Sequence, residues 1–321
     1  MDPGDPSEIP RPAEVVPLVE LKGVSKWYGN VIGLNDLSLN LRAGVVGLLG
    51  PNGAGKSTLL QLLTGQLRPS QGDMRVLGQR PWSNPSLNRY VGLCPEQDAF
   101  YEWMTGWEFV YNLARLSGLS RREASRATAE SIELVGMTEH SRRPIRGYSK
   151  GMRQRTKLAQ ALVHDPDVLF LDEPLTGTDP VARHELMQTI IGLGRRGKSV
   201  VVSSHVLYEV QAMTPYIVLL NRGRLVAEGH VRQIRDLIDQ HPHRIVLVSE
   251  NYRRLAARLI EFDDCIGVEL KPKERTAIVE THEPDTFYGR LPDLASQPDL
   301  SIEEMYCDDD SLEAVFKYLV K

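Results

Sequence analysis

The feature that most constrains the fold is the glycine-rich segment Gly50–Ser57, GPNGAGKS, which joins an apolar run to a helical pattern. The preceding run, Val45–Gly50 (VVGLLG), is typical of a buried strand, and the leucines of KSTLLQLLTG follow at helical spacing. The segment fits G-x-x-x-x-G-K-[ST] in full. Its glycines let backbone N–H groups turn toward an anion, and a helix that begins near Gly55 points its positive dipole end at the same place. The sequence therefore predicts a loop that holds the phosphates of a nucleoside triphosphate.

Individual residues of this loop have distinct predicted roles. Lys56 is expected to reach the β- and γ-phosphates, and the Ser57 hydroxyl is a candidate ligand for Mg²⁺. The residues expected to surround the nucleotide phosphates are Gly50, Pro51, Asn52, Gly53, Ala54, Gly55, Lys56, Ser57 and Thr58. A chance match would be an ordinary glycine-rich turn, but the strand–loop–helix context favours phosphate binding.

Composition excludes several classes of protein. Of the 321 residues, 41% are hydrophobic and 25% are charged, which is ordinary for a globular chain with one large domain and a smaller one. The formal net charge of −4 lacks the basic excess that DNA or RNA binding requires, so no nucleic-acid partner is expected. Cys94, Cys265 and Cys307 share no C-x-x-C spacing, which indicates reduced, non-catalytic thiols.

No stretch approaches the roughly 20 apolar residues that span a bilayer. Residues 1–17 are acidic and rich in proline, the opposite of a signal peptide, and are predicted to form a disordered tail. We therefore expect a cytoplasmic protein that reaches a membrane only through a partner.

A second apolar run, Asp165–Pro174 (DPDVLFLDEP), carries two carboxylates near its end. Such a run suits a central parallel strand covered on both faces. Asp172 and Glu173 are expected to point to opposite sides, Asp172 holding Mg²⁺ through its water shell and Glu173 polarising the attacking water. The alternative is an exposed acidic strand end. It fits poorly because the apolar residues must be buried, and ligands of such sheets bind at the carboxyl ends of the strands.

A third apolar run, Lys198–His205 (KSVVVSSH), finishes with a histidine. A lone histidine is more often structural than catalytic. Because His205 ends its run as the carboxylates end theirs, we predict that it lies at the same edge of the sheet.

The stretch YSKGMRQRTKLAQALVHDPDVLFLDEP resembles the ATP-binding subunit of an ATP-binding-cassette (ABC) transporter, and the resemblance extends over about Val19–Gly229. The signature motif of that family corresponds to YSKGM, Tyr148–Met152. The resemblance implies that Ser149 and Gly151 contact the γ-phosphate bound by the other subunit of a head-to-tail dimer. Ser149 is also suited to cap the following helix, whose N-terminus would face an anion. A simple capped surface helix is the alternative.

The same resemblance assigns three further positions. Tyr28 matches the aromatic residue that stacks on adenine, with Trp27 as a neighbouring alternative. His205 matches the histidine that touches the γ-phosphate. Asp179, in LTGTDP, matches the loop that passes from one subunit to the site of the other.

One assignment stays open, and three positions depart from the family pattern. In VGLCPEQDAF the usual glutamine falls on Glu96, next to Gln97, and either side chain is a candidate for sensing Mg²⁺ and the attacking water. The signature has Lys150 and Met152 in place of glycine and glutamine, and Thr178 stands where leucine is common. The YSKGM form is similar to that of many exporter subunits, so it does not indicate an inactive site. Hydrolysis is expected to be intact because Lys56, Ser57, Asp172, Glu173 and His205 are all present.

The resemblance implies an α/β fold of the P-loop NTPase class, ABC type. It would have a mainly parallel core sheet, an antiparallel β-subdomain and a helical subdomain. The alternation in Val19–Leu41 and the hairpin pattern of Tyr216–Gly229 favour the same organisation. The cassette is assigned to residues 18–235, with the helical subdomain at about 98–163.

Two patterns stand out in the helical subdomain. Ser120 and Glu123 form a capping-box pattern before RREASRATAESIELVG. An apolar, aromatic cluster comprises Phe100, Tyr101, Trp103, Met104 and Trp107. In the family that the chain resembles, this subdomain presents a groove to a membrane subunit. The alternative, favoured for most of these side chains, is that they fill the core of the subdomain. Exposure of two of them would support a partner site.

After His230 the cassette pattern ends. Residues 244–321 read as strand, helix, two strands, helix, strand and helix, which predicts a small ferredoxin-like α+β domain. Similar appendages occur on exporter ATPases, and a structural role is expected here because no ligand motif is present. The CDDD run is interpreted as charge at the start of the last helix, at Asp308–Asp310, rather than as a cation site.

The sequence therefore predicts an ATP-hydrolysing transporter subunit that uses ATP and Mg²⁺. Expected catalytic residues are Glu173, His205 and Lys56, and candidate metal ligands are Ser57, Asp172, Glu96 and Gln97. Expected partners are a second copy of the chain, or a related ATPase subunit, and transmembrane permease subunits at the cytoplasmic face of a membrane. The alternatives are a soluble ABC-type switch in DNA repair or translation and a regulator that binds ATP without hydrolysing it. A single cassette without sustained heptads argues against the first, and Glu173 against the second.

Overall fold

The computed structural model describes residues 17–236, 242–297 and 299–307. The predicted tail, apart from Pro17, and the segment from Asp308 to the C-terminus lie outside the described residues. No helix within the described ranges is long and apolar enough to cross a lipid bilayer.

The chain forms two compact units. Among the described residues, the first comprises 17–214 and 218–225, and the second comprises 215–217, 226–236, 242–297 and 299–307. The second unit includes the segments 215–217 and 226–236, and the assignment of a C-terminal domain to residues 244–321 stays a prediction. Within this unit, the Val231 N–H donates a hydrogen bond of 2.8 Å to the Pro215 carbonyl.

The elements from Val19 to His230 are nine strands and six α-helices among the described residues. The strands are β1 (Val19–Tyr28), β2 (Val31–Leu41), β3 (Val45–Leu49), β4 (Gln71–Val76), β5 (Val91–Cys94), β6 (Val168–Leu171), β7 (Ser199–Ser204), β8 (Tyr216–Asn221) and β9 (Arg224–His230). The helices are α1 (Lys56–Leu63), α2 (Gly106–Leu116), α3 (Arg121–Leu134), α4 (Lys150–Leu162), α5 (Pro180–Arg195) and α6 (Leu207–Met213).

The larger sheet has the strand order β5-β6-β7-β3-β8-β9. The pairs β5–β6, β6–β7 and β3–β7 are parallel, with Leu171 opposite Val202 and Leu49 opposite Ser204. Every residue of β6 is fully buried, as expected for a strand covered on both faces. Because neighbouring parallel strands end at one edge, the residues that follow β3, β6 and β7 meet there. These residues are the glycine-rich loop, the two carboxylates and His205.

The predicted antiparallel β-subdomain is confirmed as a sheet of order β2-β1-β4. The predicted hairpin is formed by β8 and β9, which are joined at Arg222–Gly223. Arg222 has a φ of 48°, so the turn uses left-handed backbone at both joining residues.

The helical subdomain contains α2, α3 and α4. The predicted capping box is confirmed, since the Glu123 N–H donates to Ser120 Oγ (3.3 Å) and the Ser120 N–H donates to Glu123 Oε2 (2.8 Å). Thr105 and Glu108 form a second capping box at the start of α2, which the sequence analysis missed. Helix α4 begins at Lys150, directly after the predicted cap residue Ser149.

The second unit contains α7 (Val231–Asp236), β10 (His243–Ser249), α8 (Tyr252–Leu259), β11 (Cys265–Lys271), β12 (Thr276–Thr281), α9 (Pro284–Ala295) and β13 (Ile302–Cys307). From β10 onward these elements follow the order strand, helix, two strands, helix, strand. The sheet order is β11-β12-β10-β13 with antiparallel neighbours, which is a ferredoxin-like arrangement. Leu255 of α8 and Phe287 of α9 are buried in one core with Ile245 and Leu247 of β10.

Candidate active site

The glycine-rich loop connects β3 to α1 and has little room for side chains at two positions. A Cβ at Gly50 would lie 2.5 Å from the Leu220 carbonyl oxygen, and a Cβ at Gly55 would lie 2.7 Å from the Gly33 carbonyl oxygen. Gly55 also has a φ of 104°, which L-residues rarely adopt. The loop thus turns tightly into the N-terminus of α1, where backbone N–H groups remain for an anion.

Lys56, the first residue of α1, is buried and turned back into the loop. Its Nζ donates a hydrogen bond of 2.7 Å to the Gly50 carbonyl and lies 3.3 Å from Glu173 Oε1. The ammonium group is therefore held between the glycine-rich loop and the carboxylate that follows β6.

Asp172 and Glu173 are both buried at the end of β6 and share one supporting side chain, Ser203 of β7. The Ser203 hydroxyl donates to Asp172 Oδ1 (2.6 Å) and accepts from the Glu173 N–H (2.9 Å). Sequence analysis missed Ser203. The only available signal was its position, as one of two serines between the apolar run Val200–Val202 and His205.

Glu173 makes the most contacts at this edge. Its Oε2 lies 2.9 Å from His205 Nδ1 and accepts a hydrogen bond of 3.1 Å from Thr176 Oγ1. Its Oε1 is buried and has no hydrogen-bond partner among the described residues, although Lys56 lies close to it. The φ of 47° at Glu173 is left-handed backbone, which is rare outside glycine and asparagine and recurs at functional sites. The structure thus joins Lys56, Glu173 and His205 in one series of contacts.

Tyr28 lies beside the glycine-rich loop. Its hydroxyl is 3.3 Å from Thr58 Oγ1, and its ring is so close to Gly33 that a Cβ there would lie 2.9 Å from the ring edge. Tyr28 is 44% exposed, and Lys26 Nζ lies over its ring, 5.5 Å from the centroid. The neighbouring alternative, Trp27, is also half-exposed, but its backbone N–H contacts Ser70 Oγ in the β-subdomain.

Ser149 and Asp179 begin two adjacent helices. Ser149 Oγ accepts a hydrogen bond from the Met152 N–H (3.3 Å), as predicted for the cap of α4. Asp179 Oδ1 accepts from the Ala182 N–H (3.0 Å) at the start of α5, and this hydrogen bond lowers the pKa of the carboxyl group. A Cβ at Gly151 would lie 3.2 Å from Ala182 Cβ, so the two helix starts pack closely. Ser149 and Asp179 are both exposed.

Glu96 and Gln97 follow β5 and both are exposed. The Glu96 carbonyl accepts a hydrogen bond of 2.6 Å from Lys157 Nζ. The structure gives no reason to prefer either side chain as a metal-sensing group, so this assignment stays open.

A second buried carboxylate, Glu209, supports the segment around His205. Its Oε2 accepts a hydrogen bond from Ser204 Oγ (3.1 Å), and its Oε1 lies 3.3 Å from Arg183 Nε of α5. Burial raises the pKa of Glu209, against the lowering effects of Ser204 and Arg183. Sequence analysis did not identify this residue.

The aromatic cluster of the helical subdomain divides into a buried and an exposed part. Phe100 packs against Phe109 with ring centroids 4.9 Å apart, and Trp107 is partly buried on the same core. Tyr101 and Trp103 are 54% and 72% exposed. An open groove of about 680 Å³ lies beside them and is lined by Trp103, Met104, Trp107, Glu108, Tyr111, Asn112 and Arg142. The core interpretation thus fails for two of the five side chains.

Comparison with known proteins finds several similar chains. A family profile described as ABC transporter matches residues 34–176. The chain is 37% identical over 227 residues to an uncharacterised ABC transporter ATP-binding protein of Synechocystis sp.. The match covers 68% of this chain and 64% of that relative, which is less than two thirds of its length. It is 32% identical over 306 residues to Nod factor export ATP-binding protein I of Cupriavidus pinatubonensis, covering 94% of this chain and 83% of that relative. A solved structure of an ATP-binding subunit of an ABC transporter matches with a TM-score of 0.63 at 28% identity, covering 69% of this chain and 93% of that one.

Proposed function

This chain belongs to the family of ABC transporter ATP-binding proteins, and we propose that it is the ATP-hydrolysing subunit of an ABC exporter. Two copies would close head to tail on two ATP molecules and drive a separate transmembrane permease from the cytoplasmic face of a membrane. The observation that carries the proposal is the series of contacts from Lys56 through Glu173 to His205 at the common edge of β3, β6 and β7.

The triphosphate of ATP would lie on Gly50–Ser57, with the adenine against Tyr28. Lys56 is shared between the Gly50 carbonyl and Glu173. A γ-phosphate is a stronger partner for the ammonium than a single carboxylate, because it offers more charge and three acceptor oxygens. ATP binding would therefore draw Lys56 to the phosphate and release Glu173.

Ser57 and Asp172 fit Mg²⁺. The ion prefers hard oxygen ligands and keeps several of its waters, and Asp172 is a buried carboxylate whose orientation is fixed by the Ser203 hydroxyl. When bound with ATP, Mg²⁺ offsets the charge of the β- and γ-phosphates. The assignment of Glu96 or Gln97 beside these ligands is part of the proposal.

Hydrolysis would depend on Glu173 and its neighbours. The buried Oε1 of Glu173 has acceptor capacity left, so it can take a hydrogen bond from the attacking water. His205 and Thr176 hold Oε2 and so fix the orientation of the carboxylate. Lys56 stabilises the negative charge of the transferring phosphoryl group.

A second copy of the chain, or a related subunit, would complete each site. Ser149 is exposed at the N-terminus of α4, a helix of 13 residues whose first N–H groups favour an anion. Asp179 is exposed at the start of α5, whose Ala182 lies so near α4 that a Cβ at Gly151 would be 3.2 Å from Ala182 Cβ. Binding of the γ-phosphate of one copy to Ser149 and Gly151 of the other would hold the dimer closed until hydrolysis removes these contacts.

The permease is proposed to dock on the face that carries Tyr101 and Trp103. Exposed aromatic side chains beside a groove are typical of protein interfaces. The direction of transport is inferred from the relative named for Nod factor export, together with the YSKGM form of the signature.

The alternative of a nucleic-acid-associated switch is less well supported. The net charge of −4 gives no basic surface excess, and the relatives described above are named as transporter proteins. A non-hydrolysing regulator would not need a buried carboxylate with an unfilled acceptor oxygen beside Lys56.

Substitution of Glu173 tests the proposal. Glu173→Gln should abolish steady-state ATP hydrolysis and produce a dimer with saturating MgATP, measured by phosphate release and by light scattering on a sizing column. Glu130→Gln, an exposed carboxylate on α3, is the matched control and should behave as the wild type. Wild-type turnover in Glu173→Gln, or a Glu173→Gln chain that stays monomeric with saturating MgATP and permease, would overturn the proposal.

A further inference from the structure

Helix α4 contains a buried cation for which the site described above has no use. The side chain of Lys157 is 2% exposed. Its Nζ donates to the Glu96 carbonyl at 2.6 Å and lies 3.1 Å from Asp98 Oδ1. Burial raises the pKa of the nearby Cys94 thiol to about 12, so this group stays neutral. Among the described groups around Lys157, Asp98 therefore supplies the negative charge that compensates the ammonium.

A second cation, Arg153, lies one turn earlier on the same helix. It donates two hydrogen bonds to Glu102, of 2.7 Å and 2.9 Å, and one of 3.2 Å to the Ile145 carbonyl. Its guanidinium lies 3.5 Å from Asp98 Oδ2 and 5.8 Å from the centre of the Phe100 ring. Asp98 thus bridges Arg153 and Lys157, which face the same side of α4 because they are four residues apart.

We call residues 96–103 the 96–103 segment. Groups from every second residue of this segment contact α4. The groups attached to Arg153 or Lys157 come from the even-numbered residues, which are Glu96, Asp98, Phe100 and Glu102. Two intervening residues, Tyr101 and Trp103, are exposed. The segment is therefore attached to α4 through the Glu96 carbonyl and the side chains of Asp98, Phe100 and Glu102, while Tyr101 and Trp103 are exposed.

The 96–103 segment and α4 have different proposed functions. Tyr101 and Trp103 lie where the permease is proposed to dock, and α4 begins at Ser149, which is proposed to bind the γ-phosphate of the other copy. Movement of the segment away from α4 would leave Lys157 as a buried cation without a partner, which is strongly unfavourable. The segment and α4 are thus favoured to move together.

We propose that Lys157 is a positioning residue whose ion pair with Asp98, supported by Arg153, binds the 96–103 segment to α4. A displacement at the docking face would then be transmitted to Ser149. Closure of the dimer on ATP would in turn be transmitted to the docking face. This inference rests on the proposed function and adds the residues through which its two surfaces communicate.

Hydrogen exchange of the full-length chain tests the inference in the Glu173→Gln background, with and without saturating MgATP. Closure of the dimer on MgATP should slow amide exchange at 149–152 and should change the rate of amide exchange across 96–103. Lys157→Met keeps the apolar length of the side chain and removes the charge, so the change at 96–103 should be lost while that at 149–152 remains. Asp98→Asn should behave as Lys157→Met does.

Arg155→Met is the matched control. Arg155 lies on the same helix, but it contacts the Val135 carbonyl and Glu185 instead of the 96–103 segment. This variant should keep both MgATP-dependent changes. A full MgATP-dependent change at 96–103 in Lys157→Met would overturn the inference, as would its equal loss in Arg155→Met. Absence of any MgATP effect at 47–58 in the Glu173→Gln background would instead overturn the proposed function, and this inference with it.

Discussion

Lys56 Nζ lies 3.3 Å from Glu173 Oε1, and the two side chains are only 7% and 8% exposed. Each charge is thus largely removed from water and depends on the other. Removing one member of a buried ion pair leaves the remaining charge without compensation, which costs about 3–5 kcal/mol. Glu173 keeps His205 and Thr176 as partners, which places the expected cost near the lower end of that range.

Lys56→Met is therefore expected to lower the free energy of unfolding by about 3 kcal/mol, measured by urea titration without nucleotide. It should also abolish ATP binding, because no ammonium remains for the phosphates. The double variant Lys56→Met/Glu173→Gln should recover part of the lost stability, since no buried charge is left unpaired. Additive losses in the double variant would contradict the buried pair.

Ser203 supports both carboxylates at the end of β6, so its hydroxyl should matter for turnover more than for ATP affinity. Ser203→Ala removes the donor to Asp172 Oδ1 and the acceptor of the Glu173 N–H. Loss of one such hydrogen bond at a buried group costs about 1–3 kcal/mol, which corresponds to a fall in kcat of about 5-fold to 150-fold. The expected result in a steady-state ATPase assay is a lower kcat with little change in KM.

Ser204→Ala is the matched control for that prediction, because the neighbouring hydroxyl contacts Glu209 instead of the two carboxylates. It should reduce kcat less than Ser203→Ala does. Equal effects of the two substitutions would show that Ser203 has no special relation to the carboxylates.

The contrast between Ser120 and Ser203 shows how much the sequence could predict. Ser120 and Glu123 are three residues apart, so the capping box follows from local pattern alone. The loop residues, Glu173 and His205 were also predictable, because each follows an apolar run and such runs end together in a parallel sheet. Ser203 and Asp172 are 31 positions apart, and Lys157 and Glu96 are 61 apart. Contacts of this kind depend on which strands and helices become neighbours, and no spacing rule encodes that.

Glu209 should make stability depend on pH. Burial raises its pKa in the folded chain above the ordinary value near 4.5, so the folded state binds the proton more tightly than the unfolded state does. The stabilising contribution of the protonated group is complete below the ordinary pKa and is lost as pH rises through the raised pKa. Glu209→Gln cannot titrate and should lack this part of the decline.

The measurement for Glu209 is the free energy of unfolding in urea at several values between about pH 5 and pH 8. The wild type should lose more stability than Glu209→Gln as pH rises through this interval. Glu130→Gln, which removes an exposed carboxylate, should follow the wild type. Parallel curves for the wild type and Glu209→Gln would show that Glu209 has the same pKa in both states.

Tyr101 and Trp103 provide the test of the docking face. Their rings are 5.4 Å apart between centroids and more than half exposed, so their substitution removes little buried area. Tyr101→Ala/Trp103→Ala should therefore leave the midpoint of thermal unfolding nearly unchanged. Because aromatic residues supply much of the binding energy at interfaces, the same variant should recover far less permease when the tagged chain is purified from membranes.

Leu116→Ala, at a residue of α2 that is 82% exposed and does not line the groove, is the control and should recover the wild-type amount. Wild-type recovery of permease by the double variant would show that the docking site lies outside the 96–103 segment. An equal loss in Leu116→Ala would instead indicate a general defect of the chain.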